Sequence, residues 1–215
     1  MRGVVRRCMI VLLSGMWVTS LAWAATGEPT ALIKQVTEQV LQILDDPKLQ
    51  GPEKRQERQQ HMQQISHEVF DWEEMAKRAL ARHWRQRTPP QQQEFVALFR
   101  DLVERSYMTR LEAAAGERQN ILYTGEQVDG TRAVVKTRVV TRRNMEVPID
   151  YRLNKADGRW QIYDVMIEGI SLVNNYRSQF NRILASSSYD ELVQKMKSRQ
   201  GEEASAGPEQ RPRTR

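Results

Sequence analysis

The sequence predicts an α+β domain built on an antiparallel sheet of four strands. Three observations lead there. Apolar residues recur at helical spacing through the first half of the chain. Near residue 121 the pattern changes to strict alternation, the period of a half-buried strand. Beyond Gly169 the helical spacing returns. Helices, then strands, then helices make the α+β order.

Pro29 fits the first turn of a helix carrying Leu32, Ile33, Val36, Val40, Ile43 and Leu44, and Asp46-Pro47 ends it. A Gln- and charge-rich segment, 52–69, keeps a thin apolar stripe through Met62, Ile65 and Val69. Asp71 opens the next helix, with Glu74 three residues on as a capping box. Thr88-Pro89 is another start, a cap followed by a first-turn proline. From there Phe95, Leu98, Phe99, Leu102, Val103 and Tyr107 run down the broadest apolar face in the chain, until Gly116.

Asp129-Gly130 lies between segments 121–128 and 133–142, a two-residue hairpin signal. In the second strand Val135, Thr137 and Val139 alternate with Lys136 and Arg138, and in the third Val147, Ile149, Tyr151 and Leu153 alternate with polar residues. After a turn at 154–158, the fourth strand, 160–167, is apolar on both faces. Its register is open: either Trp160, Ile162 and Met166 face inward with Tyr151, or a one-residue slip brings in Tyr163, Val165 and Ile167. Residues 172–184 and 188–197 read as helices, the second with a capping box at Ser188 and Glu191.

The chain's 215 residues allow one ordinary domain, and 28% charged with 40% hydrophobic residues suits a soluble globular fold. Its ends read differently. Arg2, Arg6 and Arg7 precede an apolar run from Cys8 to Leu21, and Ala22-Trp23-Ala24 follows, the order of a cleaved export signal over residues 1–24. The run is too short to span a bilayer as a retained anchor. Cleavage removes three arginines and no acid, lowering net charge from +6 to +3, and removes Cys8, the only cysteine. A periplasmic location follows, and the nucleic-acid reading suggested by pI ≈ 9.6 weakens. Residues 201–215 hold two prolines, three acids and three arginines with no apolar side chain beyond alanine, and read as a disordered tail. The folded domain is therefore 25–200.

No catalytic or metal-binding pattern emerges. His61, His67 and His83 are the three histidines, and none has another histidine or a cysteine at i+4. Thiol chemistry leaves with Cys8. There is no G-x-S-x-G, Walker or G-x-G-x-x-G motif. Asp164 stands out because it interrupts an apolar strand, where an unpaired charge costs several kcal/mol. A buried, hydrogen-bonded carboxylate paired with Arg177 is the expectation. The basic run 137–143 reads as a solvated sheet face.

The stretch from Trp160 to Phe180, WQIYDVMIEGISLVNNYRSQF, resembles the signature of the MlaC, or toluene-tolerance, family. Phe70-Asp71, Trp84, Thr88, Phe95, Phe99 and the Tyr107–Leu111 segment resemble it too, so the likeness spans about residues 30–198. Two departures are visible: Ala81, and Ser186-Ser187-Ser188, stand where members often have glycine. The resemblance implies a twisted sheet wrapped by helices, of the nuclear-transport-factor kind, with an apolar cavity for acyl chains. It implies a monomeric periplasmic carrier without enzyme activity or cofactor, whose cargo is phospholipid. Its implied partners are an outer-membrane lipoprotein complex and an inner-membrane ABC transporter complex, and its role is to keep the outer membrane asymmetric. Phe99, Val103, Tyr107, Val135, Val139, Ile149 and Tyr151 are expected to line the cavity, since they share the long helix's stripe and one sheet face. The alternative is a ligand-free periplasmic interaction module with a filled core.

Overall fold

The computed structural model describes residues 29–113, 120–142 and 144–198; the expected export signal and tail lie outside them. Helix α1 (Pro29–Asp45) stops where Asp46 turns its side chain back to accept from the Lys48 amide at 2.8 Å, starting a short 3-10 turn at Pro47. The Gln-rich segment forms α2 (Arg55–Val69), and its stripe buries Met62 and Val69. Asp71 caps α3 (Trp72–Leu80) by accepting from the Glu74 amide at 2.9 Å. Glu74 does not complete the box: its carboxylate pairs with Arg78 at 2.7 Å and Lys77 at 3.3 Å. A 3-10 helix, Ala81–Gln86, leads to α4 (Pro89–Ala113). At α4 the box is reciprocal, because Gln91 donates its amide to the Thr88 hydroxyl and Thr88 donates its amide to the Gln91 side chain.

Five strands follow, not four. They are β1 (Asn120–Asp129), β2 (Arg132–Val140), β3 (Glu146–Ala156), β4 (Arg159–Ile167) and β5 (Ile170–Ser171), in the order β1-β2-β3-β4-β5. The fifth is two residues long and folds back antiparallel on β4 through Glu168-Gly169, both at positive φ. Its brevity and its position against the next helix hid it in sequence. Asp129-Gly130 closes the β1–β2 hairpin as expected, with Gly130 at φ 56°. Then come α5 (Leu172–Ser186) and α6 (Tyr189–Ser198), capped by Ser171 and Ser188 respectively.

The register of β4 is neither expected alternative. Leu153 pairs with Ile162, whereas Arg152 pairs with Asp164 and Tyr151 with Val165. Residue 163 is the extra one of a bulge, which reverses the facing of everything beyond it. Ile162 and Val165 therefore share the inner face, while Asp164 reaches the opposite one.

Apolar side chains gather in three clusters. The largest is helical, with Trp72, Phe95, Phe99, Tyr176, Phe180 and Leu192 from α3 to α6. Phe95 and Phe99 stack with centroids 6.1 Å apart, and Tyr176 meets Phe99 edge-on at 5.3 Å. Such pairs add about 0.5–1.5 kcal/mol beyond the area they bury. A second cluster joins Ile33 of α1 and Val69 of α2 to Ala133, Val135, Leu153 and Ile162 on the sheet. In the third, Leu44, Met62 and Met108 tie α1, α2 and α4 together.

Candidate functional site: an apolar sheet face covered at one end

The inner face of the sheet is set by pairing. Ala133, Val135, Thr137 and Val139 on β2 stand opposite Leu153, Tyr151, Ile149 and Val147 on β3. Ile121 and Tyr123 extend that face onto β1, and Val165 and Ile167 onto β4. Helix α1 covers one end of it. Glu126 anchors the helix start by accepting from both the amide and the hydroxyl of Thr30, at 2.7 and 2.6 Å. Two turns on, the Thr37 hydroxyl lies 2.6 Å from that of Tyr123. Beyond Thr37 the helix directs Val40, Ile43 and Leu44 toward Met62 and Met108.

The far end of the face is different. Ile121, Val139, Val147, Ile149 and Ile167 are all apolar and half-buried, and none belongs to the three packed clusters. Half-buried apolar side chains grouped in this way are candidates for contact with an apolar ligand. They offer contact to an apolar ligand and no group that could perform a reaction on it.

Tyr151 sits at the boundary, against the second cluster yet still partly accessible. Burial pushes its phenol up to about 12, with the nearby Tyr123 adding to the rise and its hydrogen-bond contact with Thr137 opposing it. Thr137 is itself buried and donates its hydroxyl to the Ile149 carbonyl at 2.7 Å. Thus the polar atoms along this wall are held by one another.

The seven residues expected to line a cavity do not form one surface. Phe99 and Val103 are buried in the helical cluster, where Tyr107 packs half-buried against them. Burial raises the Tyr107 phenol, Tyr176 raises it further, and the Arg110 guanidinium 5.5 Å from its ring centroid opposes the shift. Val135 is fully buried in the second cluster, beside Tyr151. Val139 and Ile149 lie on the open end. Ile121, Val147 and Ile167, which complete that end, were missed; their strand alternation was visible, but the register that aligns them was not.

Asp164 is buried as expected, with a different partner. Its carboxylate accepts from Arg152 at 3.3 Å, from the Ser171 hydroxyl at 2.7 Å and from the Val173 amide at 3.1 Å. Arg177 is exposed on α5. The bulge carries Asp164 to the face where Arg152 stands, so the carboxylate anchors α5 to the sheet.

Two concavities away from this face, of about 360 and 430 Å³, are lined mainly by polar residues of α1, α2 and α4. The smaller holds Glu104, buried and hydrogen-bonded to Ser66 at 2.7 Å, with His67 at 3.5 Å. Burial raises the Glu104 carboxyl above its usual range, against the pull of Ser66, His67 and Arg100. Among the described residues no group of three or more His, Cys, Asp or Glu could hold a metal ion, and no helix is long and apolar enough to cross a membrane.

Known proteins share this architecture. The chain is similar to a phospholipid-binding protein from Ralstonia solanacearum, solved in complex with a phospholipid, at 28% identity and a TM-score of 0.71, over 83% of this chain and 99% of that one. It is 27% identical over 184 residues to the toluene tolerance protein ttg2D of Pseudomonas putida, covering 84% of this chain and 82% of the relative. The MlaC protein family model matches residues 34–198, from the first helix to the last, and the chain belongs to the MlaC family.

Proposed function

We propose that the protein is a periplasmic phospholipid carrier that binds acyl chains at the open end of the inner sheet face. It shuttles lipid between an outer-membrane lipoprotein complex and an inner-membrane ABC transporter complex, and so helps to maintain outer-membrane lipid asymmetry. The observation that carries the reading is the set of five half-buried apolar side chains, Ile121, Val139, Val147, Ile149 and Ile167, on one face outside every packed cluster. The phospholipid complex of the Ralstonia protein supports it. Val139, Ile149 and Tyr151 form the wall; Val135 packs beneath it in the second cluster, and Phe99, Val103 and Tyr107 belong to the helical cluster. The protein is no enzyme in this reading and uses no cofactor.

Energetics fit a shuttle. Two acyl chains hold roughly 30 methylenes, worth on the order of 25 kcal/mol against water at ~0.8 each. No protein binds that tightly, since affinities saturate near about −18 to −21 kcal/mol. The apolar wall competes with a bilayer instead, so net transfer lies near balance and lipid can load and unload. Native mass spectrometry of the chain purified without detergent tests the reading. Added mass matching a phospholipid is expected; a bare polypeptide that also takes up no lipid from vesicles would overturn it.

A further inference from the structure

On another part of the molecule, α3, the 3-10 helix Ala81–Gln86 and α5 assemble a cationic surface. Residues 77–87 include Lys77, Arg78, Arg82, Arg85 and Arg87 and no acid, and no acid occurs between Glu168 and Asp190. Glu74 pairs with Lys77 and Arg78. Arg82, Arg85, Arg87, Arg177 and Arg182 have no ion-pair partner among the described residues. Arg82, Arg85, Arg177 and Arg182 are exposed.

The three elements adjoin one another. α3 and α5 pack side by side, and His83 of the 3-10 helix hydrogen-bonds Asn181, one turn along α5 from Arg177. Arg82 donates from Nε to His83 Nε2 at 3.3 Å, and Arg87 lies 4.5 Å from the Tyr189 ring centroid. The Nε of Arg87 is buried without a hydrogen-bond partner. Burial is the first cause that lowers the His83 imidazole, and Arg82 and Arg87 lower it further, so the charges nearest this site share one sign.

We infer that this arginine surface docks a protein partner through a carboxylate-rich face. Like charges repel, and the exposed arginines here have no ion-pair partner among the described residues, so an external anion is the complement they lack. Arginine rather than lysine dominates, and its planar fork matches carboxylates in pairs. A bilayer is the weaker fit, because the exposed large apolar residues, Leu111, Leu122, Val128, Met145 and Ile170, lie outside all three basic elements. The inference holds whether or not the inner face carries lipid.

The test compares full-chain wild type with three variants, using poly-L-glutamate as the carboxylate probe and phosphatidylglycerol vesicles as the lipid probe. Arg82, Arg85, Arg177 and Arg182 are all changed to Gln in one variant and all to Lys in the second. The third changes Lys34, Lys48, Lys136 and Arg159 to Gln, an equal loss of exposed charge elsewhere. Circular dichroism verifies each fold. The Arg→Gln variant is expected to lose affinity for poly-L-glutamate by about tenfold at low salt, the lysine variant to lose less, and the control to change by under about twofold. Equal losses in the Arg→Gln and control variants would overturn the inference. So would vesicle binding that the arginines control while poly-L-glutamate does not bind.

Discussion

The Asp164 carboxylate accepts a 2.7 Å hydrogen bond from the Ser171 hydroxyl, and the two side chains together close the N-terminus of α5. Ser171 takes the Asn174 amide and Asp164 the Val173 amide, so two of the helix's orphan donors are satisfied by residues from β4 and β5. The negative carboxylate also sits at the positive end of the helix dipole.

Removing that carboxylate exposes its role. Asp164→Ala leaves a buried amide and hydroxyl unpartnered and is expected to cost about 2–4 kcal/mol. Asp164→Asn, which can still accept, should cost less. Urea unfolding monitored by circular dichroism gives both values. An alanine variant as stable as wild type would show that α5 needs no such anchor.

Ala81 offers the opposite kind of change. It holds φ 51° and ψ −123°, a region that disfavours a Cβ, at the junction of α3 with the 3-10 helix. Ala81→Gly relieves about 1–3 kcal/mol of backbone strain and gives back up to about 1 through the flexibility of the unfolded chain. A net gain of about 1 kcal/mol is expected in the same unfolding experiment. A loss of stability would mean that the backbone here is not strained.

Glu104 supplies a pH dependence with a definite sign. Burial raises its carboxyl above the unfolded value, so the folded protein holds this proton more tightly than the unfolded chain does. Stability from this group is therefore present at low pH and lost as pH rises through its raised range. Glu104→Gln removes the titration. The variant's stability relative to wild type should increase with pH across that range and then level off. A difference independent of pH would contradict the assigned shift.

Sequence reasoning reached most of the scaffold because local signals mark it. Asp71, Thr88, Ser188 and Asp129-Gly130 each start or turn an element through contacts within a few residues, and all do so here. The bulge at Tyr163 left no such mark, and with it went the register of β4 and the partner of Asp164. The glycine often found where Ala81 stands did point to an unusual backbone. Val135 and Val139 show the limit most clearly. They are the same residue type, in one strand, on one face, yet Val135 packs with Ile33 of α1 in the second cluster while Val139 is half-buried outside every cluster.

That pair also gives the most direct test of lipid binding on the inner face. Val135→Glu puts a charge into a packed cluster, should cost several kcal/mol and is expected to unfold much of the protein. Val139→Glu puts the same charge where water can reach it once lipid leaves. The measurement is circular dichroism beside quantification of extracted phospholipid, for wild type and both variants. The account predicts a Val139→Glu protein that keeps its fold and loses its phospholipid. A folded Val139→Glu protein with its full complement of phospholipid would contradict it.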